Sequence, residues 1–146
     1  MDFQDCVKFA NENHPCYIAT VEGDQPRVRA IGLWYADETG FYIQTQTYKD
    51  FARQMEKNNK IEICFYSRQT ENPTGKTMLR VSGKVEPVTD MECRRRCIEE
   101  RPVVKRMGIE KPEDPILAIF RLYTGEAYFF PPESGRTASE IEKIRF

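Results

Sequence analysis

Two arginines, Arg27 and Arg29, stand two residues apart in a segment that reads as an extended strand. That spacing puts both side chains on one face, continued by Ile31, Leu33 and Tyr35. The opposite face carries Val28, Ala30, Gly32 and Trp34. Two neighbouring guanidiniums repel unless an anion or carboxylates lie between them. Further along, Lys49 falls in the first turn of a helix. A cation there opposes the helix dipole, which favours negative charge at its start. A bound phosphate reverses the sign of that conflict, because it meets backbone N–H groups that lack partners. Thr45 and Thr47 add hydroxyl donors just before the helix. Together these residues form a cradle for a phosphate. The competing reading is a solvated strand edge carrying ordinary charges.

Other reactive side chains have simpler readings. Cys93 and Cys97 are four apart in a helical stretch and share a face. This suits a buried face better than a metal site or redox pair, because the two-residue gap of a zinc knuckle is missing. The one histidine, His14, precedes Pro15 and reads as the end of a helix. Arg94, Arg95 and Arg96 are interleaved with Glu92, Glu99 and Glu100 and read as a solvated helix face, not a nucleic-acid footprint. No serine–histidine–acid set and no paired carboxylates stand out.

The elements that must position the cradle follow from periodicity and punctuation. Residues 2–14 form a helix with Phe3, Cys6, Val7 and Ala10 on one side, ended by Pro15. Strands follow over 16–21, 25–36 and 41–46, joined by a turn at 22–24 and a hairpin at Asp37–Gly40. A second helix opens at Thr47, with Thr47 as N-cap and Asp50 as the capping-box acid, and stops near Asn58-Asn59. Strands over 61–66 and 77–88 flank a polar loop at 69–75. Met78, Arg80 and Ser82 lie on the face opposite Leu79, Val81 and Val85. Thr89–Glu92 is a further capping box, its helix reaching Glu100. After breaks at Pro102, Gly108, Pro112 and Pro115, a last strand region runs over 116–130, with Gly125 as a bend point. The tail from 131 is polar and either packs on a partner or moves. Strands come consecutively and do not alternate with helices. That predicts an α+β, mainly β protein, with six antiparallel strands able to close a small barrel flanked by three helices.

Composition bounds the rest. The 146 residues suffice for one domain, read here as 1–146. Lys plus Arg number 22 against 23 Asp plus Glu, a net charge of −1 that gives no support to a basic nucleic-acid surface. No apolar run approaches the roughly 18 residues of a membrane span. The first residues lack the basic and apolar regions of a signal peptide, so a soluble cytoplasmic protein is expected. Five cysteines without such a signal are expected to be reduced thiols.

Pro26-Arg27-Val28-Arg29, the hairpin ending at Gly40, Gln44-Thr45-Gln46-Thr47-Tyr48-Lys49 and Leu79–Glu86 resemble segments of the pyridoxamine 5′-phosphate oxidase-like split barrels. The resemblance runs over about residues 5–130 and rests on the order and spacing of several short motifs. It implies FMN bound at the subunit interface of a homodimer. By the same resemblance, Arg27 and Lys49 match the positions that hold the FMN phosphate. Val28, Arg29 and Ala30 match the strand whose backbone passes the isoalloxazine edge. Gln44 and Thr45 lie beside the flavin, and Thr47 adds a donor in the same segment. Arg80 and Ser82 match the strand supplied by the second subunit. True oxidases of the family close over their substrate with a tail carrying a tryptophan. Here the one tryptophan is Trp34, read with Tyr35 as a core or interface residue. The resemblance therefore points to the general flavin-binding branch, with its small reductases and nitroimidazole-resistance-like proteins. The function it implies is an FMN-dependent oxidoreductase moving electrons or hydride between NAD(P)H and a small substrate. The alternatives are a non-catalytic flavin carrier or sensor and a relative that binds the deazaflavin F420. Flavin supplies the redox chemistry itself, so no dedicated catalytic side chain is required.

Overall fold

The computed structural model describes residues 1–67, 78–130 and 135–146. The polar loop expected at 69–75 and the start of the tail at 131 lie outside the described residues. Helix α1 (Phe3–Glu12) begins on Asp2, which forms a reciprocal capping box with Asp5 and turns Cys6 and Ala10 inward. Strand β1 (Cys16–Glu22) pairs antiparallel with β2 (Gln25–Ile31), Thr20 opposite Arg27 and Ile18 opposite Arg29. The expected strand over 25–36 is interrupted after Ile31. Residues 32–34 leave the β1–β2 ladder, and β3 (Tyr35–Asp37) pairs instead with β4 (Gly40–Gln46). The shared face read through Tyr35 therefore ends with the ladder: Leu33 joins the main core and Tyr35 packs on a second cluster.

Helix α2 (Asp50–Lys57) starts on Lys49, not on Thr47. The β4–β7 ladder extends one step further than expected. The Thr47 N–H donates to the Ile116 carbonyl at 2.8 Å and its hydroxyl to the Pro115 carbonyl at 3.0 Å, so Thr47 cannot cap the helix. Strands β5 (Lys60–Tyr66), β6 (Met78–Pro87) and β7 (Leu117–Phe130) complete the main sheet. Between β6 and β7 stand α3 (Met91–Glu100) and a short α4 (Pro102–Arg106). The α3 N-cap is Asp90, not Thr89; its carboxylate accepts the Cys93 N–H at 2.9 Å. The tail returns to the sheet: β8 (Ile144–Arg145) pairs with β7, and the Phe146 ring stacks on Phe3, centroids 4.5 Å apart.

All these strands are antiparallel in one eight-stranded sheet, ordered β2-β1-β5-β6-β7-β4-β3 with β8 beside β7. The sheet is not closed, and its strands number eight where six were expected. β2 and β3 are its two edges. They are joined by three residues, which at about 3.5 Å per residue holds the edges close together. The gap between these two edges is the seam of the sheet. In the core lie Ile18, Phe41, Ile63, Phe65, Leu79 and Leu122, covered by Cys6 and Ala10 of α1 and Phe51 and Met55 of α2. β4 is buried on both faces because α3 and α4 cover its other side with Cys97, Ile98 and Val104. Arg94 holds that layer: its guanidinium donates to the carbonyls of Pro112 (2.5 Å), Leu117 (3.0 Å) and Asp114 (2.8 Å). Arg95 and Arg96 do lie on the solvated face, paired with Glu92, Glu99 and Glu100. Where β6 crosses β7, Gly83 faces Gly125. A Cβ on Gly125 would lie 2.0 Å from the Ser82 carbonyl oxygen, so the strands approach too closely for any side chain there. β7 runs through Gly125, and the register shift falls just past it: Lys84 pairs with Thr124 and Val85 with Leu122, which leaves Tyr123 of β7 as the extra residue. Among the described residues no helix is long and apolar enough to cross a membrane.

Candidate functional site

Beside the seam, a cleft of about 510 Å³ lies between β2, the end of β4 and the start of α2. β2 lends Arg29, Ala30 and Ile31, and β4 lends Thr45. The turn into α2 lends Tyr48 and Lys49, and its first residues are Asp50 and Phe51. The cleft forms here because Thr47 is committed to β7, which leaves the turn and the helix start facing β2. Among the described residues no side chain caps α2. Its first N–H groups are left for solvent or an anion.

Arg29 is the most constrained cation of the cleft. Thr20 and Ile18 of β1 hold its Nη1, through the Thr20 hydroxyl at 2.7 Å and the Ile18 carbonyl at 3.3 Å. Its Nη2 donates to Gln54 Oε1 at 2.6 Å. The guanidinium carbon lies 4.6 Å from the centre of the Phe51 ring. Of five N–H donors, the Nε–H and one Nη2–H remain unpartnered among the described residues, and they share one edge of the planar fork. Two donors on one edge match two oxygens of a phosphate or carboxylate. Burial lowers the Arg29 pKa from its usual value, and the negative Asp50 opposes that shift. Among the described residues Asp50 is the one acid on the cleft wall; it suits the helix dipole and works against an anion.

Of the residues singled out from sequence, the cleft brings together Arg29, Ala30, Thr45 and Lys49. Arg27 stands outside its lining and pairs with Glu22 at 3.0 Å, both half exposed. That contact holds the Glu22 carboxyl below the usual range, helped by Gln54. Gln44 is buried with its Oε1 unpartnered among the described residues. It alternates with Thr45 on β4 and so lies on the opposite face of the sheet. Thr47 is bound to Pro115. Val28 and Arg80 line a separate shallow pocket of about 250 Å³ on the outer face of the sheet, with Tyr17, Glu62 and Cys64. Ser82 pairs opposite Glu62 and Glu126 on that sheet.

Three participants escape a sequence reading: Gln54, Thr20 and Phe51 in its role beneath Arg29. Gln54 and Thr20 do leave a trace, since each is a polar residue at a position whose neighbours in the pattern are apolar.

A family model for pyridoxamine 5′-phosphate oxidase matches residues 3–130. The chain belongs to the pyridoxamine 5′-phosphate oxidase family. Solved structures agree on the fold across that family. A NimC/NimA family protein from Clostridium acetobutylicum is 27% identical, covers 98% of this chain and 92% of its own, and superposes with a TM-score of 0.77. General Stress Protein 26 from Bacillus anthracis is 15% identical over the full length of both chains, with a TM-score of 0.73. HutZ, a haem storage protein from Vibrio cholerae, is 19% identical over 88% of this chain and 95% of its own, at 0.64. Among proteins with curated descriptions, no match was found. Members of this fold thus carry different duties, and the cleft must decide among them for this chain.

Proposed function

We propose that this chain is an FMN-binding flavoprotein, an oxidoreductase passing electrons or hydride between NAD(P)H and a small substrate. One observation carries the reading: Arg29, Lys49 and the uncapped start of α2 line one cleft at the seam of the sheet. That donor set fits a phosphate monoester. Lys49 contributes a mobile point charge and Arg29 a planar fork; Arg27 joins only by exchanging its contact with Glu22. When bound, the flavin supplies the hydride and electron transfer. The protein binds the phosphate, orients the ring along β2 and limits access of water. As an edge strand, β2 has backbone N–H and C=O groups on its outer side that no neighbouring strand engages, which suits the polar edge of a ring system.

The working unit in this reading is a homodimer, with Arg80 and Ser82 reaching the flavin from the second subunit. Exposed Tyr17, Val28 and Tyr66 on strands β1, β2 and β5 support it, since they give the sheet an apolar outer surface. His14, the one histidine, is exposed and does not line the cleft. That favours flavin over a histidine-ligated haem in this cleft.

Titration of FMN and riboflavin against the wild type and the Arg27→Ala, Arg29→Ala and Lys49→Ala variants tests the reading. Loss of one charge-assisted contact should weaken FMN by about tenfold to a hundredfold and leave riboflavin nearly unchanged. Equal losses for both ligands would overturn the phosphate assignment. Mass measurement of the released cofactor separates FMN from F420. Bleaching of the bound flavin by NAD(P)H, followed by transfer to an acceptor, separates an enzyme from a carrier.

A further inference from the structure

Gln54 lies in the buried stripe of α2, between Phe51 and Met55, and is 6% exposed. An amide at such a position is costly unless its hydrogen bonds are made. Both ends of this one are occupied. Its Oε1 accepts from the Thr20 hydroxyl at 2.5 Å and from Arg29 Nη2 at 2.6 Å. Its Nε2 donates to Glu22 Oε2 at 3.1 Å, and the other oxygen of Glu22 accepts from Arg27 Nη2 at 3.0 Å. One neutral side chain on α2 therefore touches one arginine directly and the other through Glu22.

We propose that Gln54 is a positioning residue for an anion subsite: it fixes the Arg29 guanidinium so that its charge is aimed at a phosphate, and through Glu22 it keeps Arg27 engaged outside the cleft. The inference rests on the functional reading above and deepens it. The chemistry explains why an amide serves. Arg29 needs an acceptor on Nη2 to stop rotation of its fork, while its positive charge must stay available. A carboxylate at position 54 would hold the fork equally well and cancel the charge. It would also stand against Glu22, at the place where the amide now donates. A neutral acceptor and donor in one side chain satisfies all three neighbours.

The test compares the ratio of riboflavin to FMN dissociation constants in the wild type, Gln54→Met and Gln54→Glu, and each again in an Arg29→Ala background. Gln54→Met removes the hold and Gln54→Glu cancels the charge. Each should lower the preference for FMN about tenfold with riboflavin affinity nearly constant. In the Arg29→Ala background the drop should shrink, because Gln54 acts mainly through Arg29. The wild type gives a readout that needs no variant: the Gln54 side-chain amide resonances should shift on saturation with FMN and stay in place with riboflavin. An unchanged ratio in both variants, an undiminished drop without Arg29, or amide shifts indifferent to the phosphate would overturn the proposal. A wild type with no preference for FMN would overturn the flavin reading itself. A wild type that prefers FMN, with variants that keep the preference, would overturn only the role of Gln54.

Discussion

Among the residues of the cleft, charge decides more than shape. Arg29 and Lys49 attract an anion, while Asp50 stands beside them with the opposite sign. Asp50→Asn should therefore strengthen FMN binding by about threefold to fivefold, the scale of a partly solvated charge pair. The same change removes a favourable acid from the first turn of α2, so the melting temperature of the ligand-free protein should fall slightly. Opposite signs in titration and melting would identify Asp50 as a residue that serves the helix at the ligand's expense. Cys16 and Cys97 make the converse case, where burial pushes both thiols up to about 12. At pH 8 neither should react with a thiol reagent at a measurable rate until the protein unfolds, and half-buried Cys93 should label before either. Mass spectrometry of timed labelling checks this order. Arg29, Ala30, Thr45 and Lys49 could be read from sequence because strand parity and a helix start are local patterns. Gln54 and Thr20 could not be assigned, because their partners come from another element. A lone polar residue in an apolar stripe has no meaning until its partner is known.

Within the elements, the largest single constraint is the crossing of β6 and β7. Gly125→Ala would drive a Cβ to 2.0 Å from the Ser82 carbonyl oxygen, and a ladder carbonyl cannot yield without breaking its pairing. We expect a loss of about 3 kcal/mol or more, at the severe end for one substitution. Urea unfolding should show a lower midpoint at constant slope. Arg94→Met should be similarly costly, at about 3 kcal/mol, because it removes a charged donor from three backbone carbonyls. Arg95→Met on the solvated side of the same helix should change stability by less than about 1 kcal/mol. Alternation and capping residues made most elements visible beforehand, including β1, β4, β5 and the α1 helix. The break after Ile31 was hidden, because Gly32-Leu33-Trp34 continues an apolar run. Its cause is long range: Trp34 turns to pack with α3 and α4, its indole N–H donating to Glu100 at 3.2 Å. The cap of α2 departs from the sequence expectation for a related reason. Thr47 is a good capping residue by type, and only its pairing with the chain before β7 removes it from that role.

For the molecule as a whole, the outer face of the sheet sets the next question. Val28 is 71% exposed there, with Tyr17 and Tyr66 about half exposed. In the homodimer reading, Val28→Glu should shift light-scattering mass toward a monomer and weaken FMN as well, because half of the cofactor's surroundings would leave with the partner. A stable dimer with unchanged FMN affinity would place the interface elsewhere. The seam has a separate consequence. β2 is an edge strand, and open edges recruit other chains into unwanted sheets. This one carries Pro26, Arg27 and Arg29 within seven residues, a composition that resists such pairing. Joint Arg27→Val and Arg29→Val substitution would leave Gln25–Ile31 as a nearly uncharged, β-prone ribbon. Such a variant should form insoluble aggregates with cross-β order during expression. On that outcome the arginines also guard colloidal stability, which constrains how freely this edge can be altered.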